Sequence, residues 1–303
     1  MTTEVYSQCA CSVGAGTGST NGDYNNGFLT LQKNQKVLEA YGDYRTIRGE
    51  IVHEHEHEHG GTPGAESPLK SVLINSLGFR YGLSDKITLS ALLPYAFLRT
   101  VDGHDDGIGD LILLGTVNVY QRNTFNLALQ AGIEVPTGIQ KASNYGSTTV
   151  VVGSGSVDPM IGGMFSKRWD KITLQGNVIY KYTTPGFDDN YYGSISAHNL
   201  SVAYRLSGDN SFCCPDSTGQ KKSSNLSWTV FSGYYGEWLD YIKKENVIDK
   251  NSGYYLGFAT VGTNLSYKSW SFPLTVSMPI FHEMNGIQNN PGFRLRLGII
   301  KSL

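Results

Sequence analysis

The stretch ITLQGNVIYKY, residues 172–182, alternates apolar and polar residues with a period of two. Successive side chains of a β-strand point to opposite faces, whereas a helix would scatter the same residues around its circumference. The stretch therefore predicts a strand with one apolar face and one polar face. The apolar face carries Ile172, Leu174, Val178, Tyr180 and Tyr182, and the polar face carries Thr173, Gln175, Asn177 and Lys181.

The same alternation recurs through the chain from residue 35 onward. Most of these segments have about 11–17 residues, whereas strands of soluble proteins average about 5–6 and membrane-crossing strands need about 9–11. We therefore predict an all-β protein that folds as a 12-stranded antiparallel transmembrane β-barrel. The twelve predicted strands are 35–49, 70–83, 87–101, 110–121, 125–138, 158–168, 172–184, 194–207, 226–242, 253–267, 270–284 and 291–303.

Short and long connections alternate between these strands. LSDK, RNTF, RWDK and KSW are tight turns, whereas VHEHEHEHGGTPGAESP and DGHDDGIGD are long polar stretches; the 207–225 connection is an exception, long on the short-turn side. Outer-membrane barrels have short periplasmic turns and longer extracellular loops. We expect the outer membrane of a Gram-negative bacterium, with both termini periplasmic. The first residues lack a basic region followed by an apolar one, so a signal peptide is expected to be absent from this chain.

Composition supports a membrane partner and gives no indication of nucleic-acid binding. The net charge is −2, and charged residues make up 17% of the chain, below the roughly 25% of soluble domains. We divide the chain into a Gly- and Asn-rich segment, residues 1–34, and a barrel, residues 35–303. The first segment is expected either to plug the lumen or to lie in the periplasm.

If the apolar faces contact lipid, the polar positions between them face the lumen. Charges of both signs there allow two interpretations: a narrow pore that selects solutes, or a network of salt bridges that closes a small barrel. Twelve strands lie between the eight that only just enclose side chains and the 16–18 that leave a channel. The predicted lumen lining is Glu39, Asp43, Arg45, Arg80, Asn118, Gln130, Glu134, Gln175, Asn177, Lys181, Arg205, Asn264, Arg294 and Arg296.

The stretch GSGSVDPMIGGMFSKRWDKITLQGNVIYKY, residues 153–182, resembles a bacterial outer-membrane family described as transporter-like and associated with the MetA pathway of phenol degradation. QKVLEAYGDYRTIRG, residues 35–49, and QCACSVG, residues 8–14, resemble Bacteroidetes members of it. The resemblance covers most of residues 9–303. It implies a barrel of the 12-stranded type that passes small compounds, aromatic ones among them. It supplies no catalytic residues.

Residues 51–61, IVHEHEHEHGG, carry a histidine at every second position on the first predicted extracellular loop. Alternate residues of an extended chain share a side, so two imidazoles can face one zinc or copper ion. The alternative is a hydrated loop whose charges neutralise one another. The candidate metal ligands are His53, His55, His57 and His59, with Glu54, Glu56 and Glu58, and with His104, Asp102, Asp105 and Asp106 from the second such loop.

Four cysteines form two close pairs on the predicted periplasmic side: Cys9, Cys11, Cys213 and Cys214. The periplasm is oxidising, which favours disulfides between the N-terminal segment and the CC turn. A thiolate site for copper or zinc is the alternative.

The sequence shows no set of residues that predicts catalysis, and we expect no enzyme. FHEMNG, residues 281–286, lacks the spacing of the H-E-x-x-H zinc motif, and His198 and His282 are isolated in sequence. We expect passive passage of a small solute, either aromatic or hydrophobic or related to a metal. The alternatives are a surface metal-binding or receptor barrel acting through residues 53–59, and a non-conducting structural subunit that binds other outer-membrane proteins.

Overall fold

A computed structural model describes residues 30–51, 69–101, 103–138, 143–145, 148–150, 152–208, 226–286 and 288–303. The histidine loop at 53–59 and the four cysteines lie outside these ranges, as do residues 1–29 of the N-terminal segment. The metal site, the disulfides and the two roles considered for that segment therefore stay predictions.

Twelve long antiparallel strands form one sheet, and each pairs with its neighbours in sequence. The last strand pairs with the first, which closes the sheet and confirms the predicted 12-stranded barrel. No helix among the described residues has the length and apolarity needed to span a membrane. The strands are β1 (Lys36–Ile51), β2 (Leu69–Ser84), β3 (Ile87–Thr100), β4 (Leu111–Arg122), β5 (Phe125–Val135), β6 (Asp158–Trp169), β7 (Ile172–Lys181), β8 (Ile195–Ser207), β9 (Leu226–Leu239), β10 (Tyr254–Tyr267), β11 (Trp270–Met284) and β12 (Gln288–Ser302).

The alternation of the sequence becomes an alternation of burial. On β7, Ile172 and Val178 are exposed by 43% and 49%, whereas Gln175 and Lys181 are exposed by 7% and 5%. Most of the exposed face of the barrel is apolar, and large aliphatic and aromatic side chains occupy it. A closed sheet with an apolar outside satisfies its backbone hydrogen bonds internally, as a lipid-embedded chain must.

Short strands form within three of the connections between the twelve long strands. His104–Ile108 pairs with the last part of β3, and two hairpins form from Ser143–Tyr145 with Thr148–Val150 and from Lys243–Lys244 with Val247–Ile248. The predicted strand 125–138 is too long, since β5 ends at Val135. Pro136 follows, and proline has no N–H to continue a ladder.

The two ends of the barrel differ. We call the end with the turns at 85–86, 123–124, 170–171 and 268–269 the short-turn end, and the opposite end the long-loop end. Asn123, Asp170 and Lys268 have φ values of 53°, 47° and 53° in these turns. Left-handed backbone is tolerated best by Gly, Asn and Asp, so Asn123 and Asp170 suit a two-residue turn.

Residues 30–34 cross the inner side of the short-turn end. The Leu31 N–H donates to Thr88 Oγ1 at 2.7 Å, and the Leu31 side chain packs with the inward residues Val37, Tyr41 and Ile300. A Cβ at Gly82 would lie 1.9 Å from the Gln32 carbonyl oxygen, so only glycine leaves room for the chain there. The chain before β1 therefore narrows this mouth of the barrel.

The ladder between β11 and β12 is incomplete. Within these described strands, the backbone pairs run from Trp270–Lys301 to Ser277–Arg294 and stop there. Pro279 on β11 and Pro291 on β12 lie just beyond the last pair, and proline is tolerated where a strand has no neighbour to bond. We call the parts of β11 and β12 that are not paired with each other, residues 278–284 and 288–293, the seam.

Candidate functional site in the barrel lumen

The lumen has an apolar part that the alternation of the sequence does not predict. Inward residues of six strands form a buried cluster near the long-loop end, and Tyr235 and Tyr254 pack against it. Apolar residues therefore fill the interior as well as cover the outside, and the lumen is polar only in part. The cluster consists of Leu92, Ile112, Leu114, Met160, Ile179, Ile195, Ala197 and Leu239.

A polar chamber lies beside this cluster, between β1, β12 and the strands β8 to β11. Its volume is about 60 Å³, which is enough for a few water molecules or one small solute group. Three arginines line it: Arg45, Arg294 and Arg296. The other lining residues are Asp43, Asn199, Ser201, Phe231, Gly233, Tyr234, Tyr235, Thr260, Thr275 and Ser277.

Two carboxylates bind two of these arginines. The Arg45 Nε and Nη2 atoms donate to the two oxygens of Asp43, each at 3.1 Å. The Arg294 Nη1 atom lies 3.4 Å from Glu237 Oε2, and the hydroxyls of Tyr235 and Tyr254 donate to Glu237 at 2.7 Å each. Glu237 was missed in the sequence because the stretch around it, YYGEWL, is apolar on both sides of the strand.

Aromatic rings contact two of the three arginines. Arg294 lies over the Phe258 ring at 4.1 Å, and Arg296 lies over the Tyr41 ring at 4.5 Å. A guanidinium over an aromatic face is held by cation–π attraction, which adds about 0.5–2 kcal/mol as the site becomes drier. Arg294 is therefore held by a carboxylate as well as by a ring.

A second ionic group lies on the opposite wall, at the long-loop end. Lys181 Nζ is 3.1 Å from Glu134 Oε1 and 3.5 Å from Asp158 Oδ2, and all three side chains are buried. The Thr184 N–H also donates to Asp158, at 2.9 Å. This triad holds one positive and two negative charges. Glu134 and Lys181 belong to the predicted lining, and Asp158 does not.

The structure places the other predicted lining residues on the inner face at several heights. Glu39 and Arg80 form a buried ion pair across β1 and β2. Gln130 donates to Thr116 at 3.1 Å, and Arg205 donates to the Asp170 carbonyl at 3.1 Å at the short-turn end. Gln175 is buried, as are Asn118, Asn177 and Asn264. The sequence pattern therefore indicates which residues lie on the inner face, but it does not show which of these residues contact one another.

Asp110 connects the long loops above the apolar cluster. Its side chain is buried, with Oδ1 accepting from the Gly138 N–H at 2.8 Å and Oδ2 accepting from the Ser154 N–H at 2.7 Å and hydroxyl at 2.6 Å. Hydrogen bonds to a carboxylate are roughly twice as strong as neutral ones. Asp110 therefore holds Gly138 and Ser154, near the two ends of the connection between β5 and β6, together at the long-loop end of the barrel.

Replacing Asp110 by alanine should loosen this connection. Each hydrogen bond to a charged group contributes about 1.5–3 kcal/mol, so we expect the Gly138 and Ser154 amides to exchange hydrogen at least about tenfold faster. Amide hydrogen exchange of the folded barrel measures this directly. Glu283→Ala removes an exposed carboxylate at the same end and should leave both amides unchanged. Equal exchange in the parent and Asp110→Ala would show that the carboxylate does not hold the loop.

No metal site appears among the described residues, where no three His, Cys, Asp or Glu side chains come together. His198 lies on the outer face, with Nε2 3.1 Å from the Tyr255 hydroxyl, which in turn is 2.6 Å from the Tyr234 hydroxyl. His282 is exposed near the long-loop end. Among the described residues, the hydrogen bond of His198 is to a tyrosine and not to a serine or cysteine nucleophile.

Solved structures share this architecture. An outer membrane channel from Pseudomonas putida F1 superposes with a TM-score of 0.63 at 16% identity, over 93% of this chain and 98% of that one. A porin named NanC matches with a TM-score of 0.47 at 8% identity, over 88% and 100% of the two chains. A TodX mutant described as a monoaromatic hydrocarbon channel matches with a TM-score of 0.44 at 11% identity, over 89% and 91%. The first of these shows that the fold is that of an outer-membrane barrel.

No curated protein matches the chain in sequence. The model of the family described as "Putative MetA-pathway of phenol degradation" matches residues 51–212, which are 162 of the 303 residues. The match includes the stretch at 153–182 on which the resemblance rests. The chain belongs to this family of outer-membrane β-barrels.

Proposed function

We propose that the chain is an outer-membrane channel that gives passive passage to a small solute. The observation that carries the proposal is a closed barrel with an apolar outer face and a polar chamber inside. An outside of this kind suits lipid, and an inside of this kind suits a solute. The shared fold with a Pseudomonas putida outer membrane channel supports the proposal.

We also propose that the short-turn end faces the periplasm. Outer-membrane barrels place their short turns there, and the twelve strands bring both ends of the barrel sequence to that side. The first residue of β1, Lys36, and the last residue of β12, Ser302, then lie on the periplasmic side. A cysteine-labelling reagent that does not cross the membrane tests this on intact cells, since it should label Val247→Cys and leave Asn123→Cys unlabelled.

Passage requires the contents of the lumen to move. The apolar cluster lies in the long-loop half, and the chamber holds only about 60 Å³. Ser277 and Arg294, the last pair of the β11–β12 ladder, line the chamber, so the chamber lies next to the seam. We infer that a solute reaches the chamber by displacing side chains of the cluster or by parting the seam.

Removing residues 1–34 should raise the conductance of the purified barrel in planar bilayers. Residues 30–34 narrow the short-turn mouth through Leu31 and Gln32, so their loss widens it. The matched control lacks residues 1–29 only and keeps those contacts. We expect the shorter chain to conduct more than the control. Folded barrels that conduct in neither form would contradict passage and favour a structural subunit.

A further inference from the structure

A cleft lies on the outer face of the barrel at the long-loop end, where β2 and β3 meet the short strand His104–Ile108. Its volume is about 430 Å³, within the range of about 300–1,000 Å³ that ligand sites usually have. We call it the outer cleft. It is lined by Ser71, Leu73, residues 97–101, Gly103 and His104.

The part of the outer cleft nearer the middle of the barrel is apolar. Leu73 on β2 and Phe97 on β3 lie directly opposite each other, and Phe97 is 44% exposed. The Phe97 ring lies 4.8 Å from the ring of Tyr95, which is two residues deeper on the same face. Aromatic girdles on the outer face of a barrel mark the boundary between hydrocarbon and headgroups. The apolar part of the cleft therefore lies at this boundary.

The other end of the outer cleft carries a cation. Arg99 is two residues beyond Phe97 on β3, and it lies between Ser71 and His104 on the two neighbouring strands. The Arg99 side chain is exposed. Its position beyond the aromatic boundary places the guanidinium at the level of lipid headgroups.

A carboxylate on the same face is bound to another group. Asp106 lies opposite Phe97, and its carboxylate accepts a hydrogen bond from the Tyr95 hydroxyl. It forms no ion pair with Arg99, and the Arg99 guanidinium has no counter-ion in the part of the chain that the structure describes. The outer cleft thus combines an apolar surface with an available cation.

We propose that the outer cleft binds a lipid with a phosphate headgroup from the surrounding leaflet. The Arg99 guanidinium presents paired N–H donors that match phosphate oxygens. Leu73 and Phe97 supply apolar surface for an acyl chain of the same molecule. The inference goes beyond the proposed function, because it requires the outer face to contact lipid but requires neither an open lumen nor a solute.

Native mass spectrometry of the full chain in non-ionic detergent micelles tests this by counting bound lipids. Phosphatidic acid is compared with phosphatidylcholine of the same acyl chains. We expect the parent chain to bind phosphatidic acid in preference, at a site that saturates. Arg99→Gln should weaken this binding by about fivefold and leave phosphatidylcholine binding unchanged, since that is the contribution of one arginine near an anionic headgroup.

Two further variants are matched to Arg99→Gln. Asp106→Asn removes a negative charge from the same face and keeps a polar partner for Tyr95, so it should strengthen the binding of phosphatidic acid. Arg122→Gln removes an exposed arginine at the short-turn end and should bind like the parent. Equal binding of both lipids by the parent, or an equal loss in Arg99→Gln and Arg122→Gln, overturns the site.

Inorganic phosphate distinguishes a lipid from a free anion. At the concentration of the lipid it should not displace phosphatidic acid, because it makes no use of the apolar part of the cleft. Displacement at equal concentration would show an anion site and contradict the lipid. Lipid binding is measured without conductance, so a chain that conducts but does not prefer phosphatidic acid contradicts this site and keeps the channel.

Discussion

Replacing Lys181 by methionine is expected to lower the free energy of unfolding by about 3–5 kcal/mol, because removing one partner of a buried ion pair leaves its counter-charge uncompensated. Lys181 is the cation of a triad whose two carboxylates, Glu134 and Asp158, lie opposite each other on β5 and β6. The methionine side chain has much of the volume of the lysine alkyl chain. The decrease in the free energy of unfolding therefore measures the effect of the charge more than that of packing. Denaturant unfolding in lipid vesicles measures it.

Two chains separate the charge effect from other causes. Lys171→Met makes the same substitution at an exposed turn of the short-turn end and should change the free energy of unfolding by less than about 0.5 kcal/mol. Adding Glu134→Gln to Lys181→Met removes one of the two carboxylates and should recover part of the loss. If the double variant is no more stable than Lys181→Met, the triad is not coupled through charge.

The alternation of the sequence predicts the barrel because each strand exposes one face to lipid. All twelve strands are recovered, and β11 matches its predicted range at both ends. The rule is weakest where both faces are apolar. Val178, Ile179 and Tyr180 are consecutive in the stretch that decides the fold, yet Ile179 is 1% exposed while its neighbours are exposed by 49% and 38%. Residue type alone does not show that an apolar side chain packs inside the lumen at this position.

The candidate site is predictable in its members but not in its contacts. Asp43, Arg45, Arg294 and Arg296 come from the polar face that is predicted for their strands, and they line the chamber. Their meeting depends on closure, which brings the first and last strands together across some 250 residues of sequence. Glu237 reaches Arg294 from β9, and no local pattern could indicate that pair. Alternation determines which face a side chain lies on, and closure determines its partners.

Placing an arginine on the outer face should destabilise the barrel according to its depth in the membrane. Leu200 is 50% exposed near the middle of β8, and Leu226 is 49% exposed at the first residue of β9, at the short-turn end. An outward arginine costs about 2–4 kcal/mol at the bilayer midplane and about 0–1 kcal/mol near the interface. We therefore expect Leu200→Arg to lower the free energy of unfolding well below that of Leu226→Arg.

Because the two leucines are nearly equally exposed, the comparison shows whether the outer face contacts lipid or water. In water, both exposed arginines would be hydrated, and both variants would remain close to the parent. In a bilayer, only the arginine near the interface reaches water and headgroups, so the cost depends on depth. Unfolding in phospholipid vesicles measures both variants under one condition. Equal and small costs would show that the outer face does not contact hydrocarbon, and the membrane-spanning barrel would have to be abandoned with the channel built on it.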